Sequence, residues 1–156
     1  GIQKGMNVIA GSGLVGVVTD VGPNYSKVRS IIDDSSNVSS MVLTTKDNFN
    51  VSGSLKSMNK DKELPFTQLR DEDDKVKPGD PVVTSAVSDI YQEGILIGYI
   101  ASVENDPNNL TKSGTITPVV DFEHLREVLV ITTVKDTGEK ELSSQDSTET
   151  ETETQK

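Results

Sequence analysis

Three groups of residues in this chain have the types that chemistry needs: a glycine-rich run, a lone histidine among many serines, and a cluster of carboxylates. Gly11-Ser12-Gly13-Leu14-Val15-Gly16 fits the G-x-G-x-x-G fingerprint of a dinucleotide site, and Asp33 and Asp34 lie about where a ribose-binding acid would stand. That chemistry requires the last glycine to open a helix whose N-terminus meets a pyrophosphate. Here Gly16 runs into Val17-Val18-Thr19-Asp20-Val21 and stops at Gly22-Pro23, which is a strand and a turn. No βαβ unit fits, so the run reads as a glycine-rich hairpin feeding a curved strand. A serine hydrolase would need a base beside its nucleophile, most often histidine. His124 is the only histidine, and Ser12, between two glycines, is the best nucleophile candidate. Nothing in the sequence specifies a geometry that joins them, and His124 reads as an exposed or half-packed residue. Asp71-Glu72-Asp73-Asp74 could attract a hard cation, but a calcium loop needs spaced oxygen ligands, a glycine at the bend and a distant glutamate. Positions 76 and 82 are both valine, so that pattern fails and the cluster reads as a solvated acidic turn. The chain has no cysteine, which excludes disulfides, thiolate metal sites and cysteine nucleophiles. The expectation is a protein with no catalytic residues, no cofactor and no metal.

The elements that would carry these residues occur twice. Leu14-Val15-Gly16-Val17-Val18-Thr19-Asp20-Val21 has a near copy in Leu96-Ile97-Gly98-Tyr99-Ile100-Ala101-Ser102-Val103. Ile31-Ile32-Asp33 corresponds to Val119-Val120-Asp121, and Met41-Val42 to Leu129-Val130. The repeated residues are apolar or glycine, the types that shape a core, so the chain repeats architecture and not chemistry. In the second copy Ile95, Ile97, Tyr99, Ala101 and Val103 alternate with Leu96, Gly98, Ile100 and Ser102, the period of a strand. Further β-branched runs lie between turn signals such as Gly22-Pro23-Asn24, Asn59-Lys60-Asp61 and Pro78-Gly79-Asp80. One short helix is expected over Phe122 to Glu127, capped by Asp121. Residues 48 to 79 have no counterpart in the repeat and are expected to add strands to the second unit.

Many short strands at regular spacing predict an all-β protein of two small β-barrel domains. The expected division is 1–46 for the first barrel and 47–113 for the second. The repeat alone would instead keep residues 82 to 133 together. Residues 136–156 contain one aliphatic side chain, Leu142, with seven acidic residues against two lysines, and are expected to be a disordered acidic tail. That tail carries −5 of the total charge of −10, and the rest, with 18 acidic and 13 basic side chains, has no basic face for a phosphate backbone. No apolar run approaches the ~20 residues that span a bilayer. The opening Gly1-Ile2-Gln3-Lys4 reads as a cut end, so an anchor, if the protein has one, is expected upstream.

The run from Ser85 to Gly94 is an insertion relative to the first copy, and it carries Val87, Ile90 and Tyr91. Apolar groups on a surface loop mark either a contact site or a plug for a barrel end. Ile90, Tyr91 and Ile95 are therefore the candidate partner-binding residues.

Certain residues together resemble a known family. They are Val76-Lys77-Pro78-Gly79-Asp80-Pro81-Val82-Val83-Thr84-Ser85, Ile90-Tyr91, Gly94 to Ile100, Gly13 to Val18 with Val21-Gly22-Pro23, and Pro118-Val119-Val120-Asp121-Phe122 with Leu125 and Val128. In this order and spacing they are similar to the extracytoplasmic β region of the rod-shape-determining MreC family, over most of residues 6 to 134. The chain departs from the family at Gln92-Glu93-Gly94, where members often carry a proline before the charged residue and glycine. The resemblance implies a non-enzymatic scaffold of the peptidoglycan elongation machinery, on the extracytoplasmic face of the bacterial membrane. It implies a first barrel that strands from 114–135 could complete, and an N-terminal transmembrane helix and a dimerising coiled coil, both outside this sequence. The implied partners are a class B penicillin-binding protein, MreD, RodA and a second copy. The alternatives at this stage are a paired-barrel hydrolase using Ser12 and His124, or a structural cell-wall module.

Overall fold

A computed structural model of the chain describes residues 1–135 and 152–155. The strands are β1 (Asn7–Ala10), β2 (Gly13–Val21), β3 (Ser26–Ser30), β4 (Asn37–Val42), β5 (Asn48–Ser52), β6 (Leu64–Leu69), β7 (Pro81–Thr84), β8 (Leu96–Asn105), β9 (Lys112–Pro118), β10 (Val128–Ile131) and β11 (Thr152–Gln155). Among the described residues a single short helix, α1 (Leu55–Asp61), lies between β5 and β6. The chain is all-β, as its alternating β-branched runs predict.

The repeat is visible as geometry. β2 and β3 form one hairpin, and β8 and β9 form its copy. Gly16 pairs with Ser30, and Gly98 with Pro118. Each hairpin has its register shift at the same place, Thr19 in one and Ala101 in the other. An extra residue at that point bends the strand and increases its twist. The glycines are required by contact. A Cβ on Gly16 would lie 2.1 Å from the Arg29 carbonyl oxygen, and one on Gly98 would lie 2.1 Å from that of Thr117. β1 and β7 precede the hairpins and pair with them alike, Val8 opposite Gly16 and Val82 opposite Gly98.

The fourth strand of each repeat crosses over. β4 follows the first hairpin but pairs with β7, placing Met41 opposite Val83 and Val42 opposite Val82. β10 follows the second hairpin but pairs with β1, placing Leu129 opposite Ile9 and Val130 opposite Val8. The two copies of the apolar pair therefore occupy equivalent positions in opposite units. A cut at residue 46 runs across this exchange, because β4 belongs to the sheet of β5 and β7. The stretch 114–135 is likewise divided: β9 pairs with β6 and β8, and β10 pairs with β1.

β8, β7, β4, β5, β6 and β9 close into a six-stranded barrel through the β8–β9 pairing. The other unit runs β11-β10-β1-β2-β3 and is an open sheet among the described residues, where a second closed barrel was expected. The physical reason is the uneven insertion: β5, α1 and β6 complete one unit, and the repeat has no copy of all three. Residues 136–151 and 156, expected to be disordered, lie outside the described residues. Within the stretch 136–156, the described residues Thr152–Gln155 pair with β10. Ladder pairing uses backbone groups that every non-proline residue carries, so polar composition alone does not forbid it.

The helix expected at 122–127 is a turn, held by the His124 N–H donating to the Asp121 carbonyl at 3.3 Å. The real helix, α1, begins where the Ser54 hydroxyl accepts from the Ser57 N–H. It ends at Lys62 in the left-handed region. Met58 is its one buried side chain, so it lacks the apolar stripe that periodicity detects. One core, with Leu14, Val17 and Ile31 from the open unit, continues into the barrel through Phe49, Phe66 and Ile97. The rings of Phe49 and Phe66 meet edge-on with centroids 5.0 Å apart. A smaller core of Met6, Val8, Val15, Val18, Val120 and Val130 lies within the open unit.

Gly98→Ala and Gly16→Ala are expected to destabilise by similar amounts, about 3 kcal/mol each, at the upper end of overpacking costs because the obstructing atoms are backbone. Denaturant unfolding monitored by circular dichroism checks this, and the exchanged strands predict one cooperative transition in each variant.

Candidate interaction site at the junction of the two units

The β7–β8 loop, residues 85–95, is built from hydroxyl-to-backbone bonds. The Ser88 hydroxyl accepts from the N–H groups of Ile90 and Tyr91, at 3.2 and 2.9 Å, which turns the chain at its tip. At the loop base the Thr84 hydroxyl donates to the Gln92 carbonyl at 2.5 Å and accepts from the Ile95 N–H at 2.8 Å. The Ser85 hydroxyl donates to the Asn48 side-chain oxygen at 2.5 Å.

Asn7, on β1 of the other unit, completes the hold. Its side chain is fully buried. Its Nδ2 donates to the Ile90 carbonyl at 3.0 Å, and its Oδ1 accepts from the Gln92 N–H at 2.8 Å. One amide thus satisfies two backbone groups of the loop, as a neighbouring strand would. Gln92 reaches back, its Nε2 donating to the Thr133 carbonyl at 3.2 Å. The loop of one unit is thereby tied to both ends of the other.

This arrangement sorts the three candidate contact residues. Tyr91 is 1% exposed and belongs to the shared core. Burial raises its phenol pKa, while nearby Ser36 and the Arg29 guanidinium pull the other way; the Ser36 hydroxyl lies close without meeting hydrogen-bond geometry. Tyr91 therefore plugs the junction, and a side chain so placed offers a partner no surface. Ile95 is partly buried and packs against the same core. Ile90 is 37% exposed, and its neighbour Val87 is 68% exposed. The Ser88 turn faces Tyr91 inward and leaves those two outside. No local sequence pattern reveals this, because the bonds that orient the loop come from Asn7, 83 and 85 residues away.

A second apolar surface lies beside α1. A groove of about 420 Å³ is lined by Ile32, Met58, Val119 and Phe122, with the Lys62–Glu123 ion pair at its rim. It joins three distant segments, so the sequence held no signal for it.

The residues with chemical reach are dispersed. Gly13 and Gly16 lie in β2, and Ala10 pairs with Gly13 across a tight hairpin, so the fingerprint is strand and not helix. Asp33 accepts from the Ser35 N–H and hydroxyl, which lower its pKa, and Asp34 accepts from the Leu55 N–H at the start of α1. Ser12 and His124 are both exposed. The His124 Nδ1 lies 2.9 Å from the Asp121 carboxylate, and no hydrogen bond joins it to Ser12 among the described residues. Asp121, Glu123 and His124 bring ligand-type atoms within 4.8 Å of one another, all on an exposed turn.

The acidic cluster at 71–74 is only partly solvated, a correction to its sequence reading. Asp71 is buried and accepts from the N–H groups of Lys75 and Val76 at 2.8 and 2.9 Å and from the Lys112 Nζ at 3.0 Å. Burial alone would raise its pKa, but these donors outweigh it and the net shift is downward. The residue is a staple between a loop and β9.

A family model described as "Rod shape-determining protein MreC, barrel core" matches residues 1–132. The chain belongs to the MreC family. A curated relative, the cell shape-determining protein MreC of Listeria monocytogenes, is 31% identical over 157 residues, which is 97% of this chain and 50% of the relative. The chain thus spans about half the length of that MreC. A solved structure titled "MreC" superposes with a TM-score of 0.72 at 22% identity, covering 83% of this chain and 70% of that one. Another, titled "Complex between Penicillin-Binding Protein (PBP2) and MreC from Helicobacter pylori", superposes with a TM-score of 0.61 at 17% identity, covering 80% and 74%. At those identities the two structures establish a shared fold. MreC is, by the names its relatives carry, a cell shape-determining family.

Two outcomes are expected. Asn7→Ala leaves the Ile90 carbonyl and Gln92 N–H buried without partners, at a cost of about 2–4 kcal/mol, and amide exchange should show the loss of protection centred on Gln92. For Asp71 the folded pKa lies below the ordinary 3.8, so its stabilisation is present above that value and is lost as pH falls through the folded pKa. The stability gap between the wild type and Asp71→Asn, measured by denaturant unfolding from neutral pH downward, should therefore close only below about pH 3.8.

Proposed function

We propose that this chain is the extracytoplasmic part of a membrane-anchored scaffold that binds and positions a class B penicillin-binding protein during peptidoglycan synthesis, and that it is not an enzyme. Membership of a cell shape-determining family supports the scaffold role. The partner class is suggested by the penicillin-binding protein named with the Helicobacter MreC whose fold this chain shares. MreD, RodA and a second copy complete the proposed assembly, through segments beyond this sequence. The serine hydrolase alternative has no support in a nucleophile and base that are exposed and unconnected.

The observation that carries the reading is the clamped loop. Asn7 and Thr84 hold its backbone, while Val87 and Ile90 stay on the surface. A preorganised loop with exposed apolar side chains loses little freedom on binding, which is where affinity is otherwise lost. Tyr91 and Ile95 support those two from inside.

The test uses Val87→Asp and Ile90→Asp in the full-length protein, with capture of the class B penicillin-binding protein. Surface sites of this kind change stability by about 0.5 kcal/mol or less, so the fold is retained. Capture should fall at least ten-fold. Undiminished capture by both variants would remove the loop as the contact. Tyr91→Ala is not informative, because truncating a buried aromatic costs about 3–5 kcal/mol.

A further inference from the structure

The two hairpins of the repeat lead into connections that are bonded alike. Arg29 pairs with Val17 as Thr117 pairs with Tyr99, so Arg29 and Thr117 are equivalent. The Ile31 N–H donates to the Val15 carbonyl at 2.9 Å, and the Val119 N–H to the Ile97 carbonyl at 3.0 Å. The Asp33 carboxylate accepts from the Ser35 N–H at 2.8 Å, and the Asp121 carboxylate from the Glu123 N–H at 3.1 Å. The Ser36 N–H donates to the Asp33 carbonyl and the His124 N–H to the Asp121 carbonyl, at 2.8 and 3.3 Å. Residues 29–36 and 117–124 therefore build one wall twice, with Ile31 matching Val119 and Ser36 matching His124.

The first wall is covered. The Tyr91 phenol lies beside Arg29 and Ser36, and Ile31, in the same core as Tyr91, is 0% exposed. Tyr91 comes from the long β7–β8 loop, whereas β1 and β2 are joined by Gly11 and Ser12 alone. The short loop has no residue that can reach out as Tyr91 does. Where the long loop ends in Ile95, the short one ends in Gly13, and a Cβ there would lie only 2.4 Å from the Val119 Cγ1. The second wall therefore stays open. Val119 is 39% exposed and lines the groove beside α1 with Ile32, Met58 and Phe122.

Charge and size narrow what fits there. Lys62 is paired with Glu123, and the His124 Nδ1 lies 2.9 Å from the Asp121 carboxylate. A charged occupant finds no unpaired counter-charge on this rim among the described residues, and would lose hydration without return. A neutral apolar group with one polar edge matches both the lining and the rim. The groove's volume, about 420 Å³, lies in the ~300–1,000 Å³ range of ligand clefts.

We infer that this groove is a docking site for a neutral aromatic side chain, tyrosine above phenylalanine, presented by a segment of a partner protein. The ring lies on Val119 and against Met58, as Tyr91 covers the wall that holds Ile31. Its hydroxyl points toward Thr117 and His124, the equivalents of Arg29 and Ser36. Aromatic side chains in such pockets anchor interfaces, because a large apolar body is buried while one polar tip keeps a partner. The site is separate from Val87 and Ile90 and does not depend on their role.

The test titrates N-acetyl-tyrosine amide into this chain at neutral pH and follows the backbone amide shifts by NMR. Saturable shifts should centre on Met58, Lys62 and residues 119–123, with a Kd on the order of 1–10 mM for so small a ligand. N-acetyl-phenylalanine amide should bind more weakly, and N-acetyl-alanine amide at least ten-fold more weakly. Asn59→Trp and Val119→Trp, both at exposed positions on the groove, should fill it and abolish the shifts. Circular dichroism checks each fold, and if one variant misfolds the other decides. Three outcomes would each overturn the inference: no saturable shift at the groove, equal binding of all three amides, or shifts that persist in the folded tryptophan variants.

Discussion

Two backbones touch in this protein because two residues lack a side chain. At Gly16 and again at Gly98, the partner strand's carbonyl lies where a Cβ would have to be. Three residues after each glycine sits an extra residue, Thr19 or Ala101, that throws the register by one. Glycine contact and bulge together bend a long hairpin sharply enough to wrap a core of small diameter. Everything else is arranged around these two bends. β1 and β7 pair with β2 and β8 alongside them, and apolar residues of the repeat such as Val17, Val18, Ile97 and Ile100 are buried.

The second constraint is topological. Each repeat sends its fourth strand to the other unit, so one flank of β1 and one flank of β7 are covered by chain that began elsewhere. Leu14, Val17 and Ile31 of the open unit then share one continuous core with Phe66, Tyr91 and Ile97 of the barrel. Two units joined by a linker would be free to reorient. Two units that exchange strands and share a core hold one orientation, as the proposed positioning of a partner requires. Asn7 finishes the junction by giving the β7–β8 loop the two hydrogen bonds its own barrel cannot supply.

The polar residues that first invite a chemical reading are used for construction. Asp71 staples a loop to β9, Asp34 caps α1, Asp33 closes a turn, and the glycine fingerprint bends a strand. The Asp71 and Asp33 carboxylates, engaged by backbone N–H groups in this way, are held below the ordinary value for structural reasons, so a perturbed pKa at these two is no pointer to catalysis. Apolar surface is available to other molecules at the loop bearing Val87 and Ile90 and at the groove beside α1.

The sequence by itself determined the class of the fold, the positions of nearly every strand, and the equivalence of residues 14–21 with 96–103. Those features are written in short-range alternation, glycine placement and turn chemistry, all of which act over a few residues. It also carried the Met41-Val42 and Leu129-Val130 match, though not the crossing those pairs perform. Only the tertiary structure decided that crossing, because strand pairing partners are chosen by long-range hydrogen bonds with no local signature. The same holds for Tyr91, whose apolar neighbours read equally as a contact or a plug until Asn7, far away along the chain, turned it inward. Helix α1 escaped notice because a helix that buries one methionine leaves no period to detect, and its cap at Ser54 looks like any other serine in a loop.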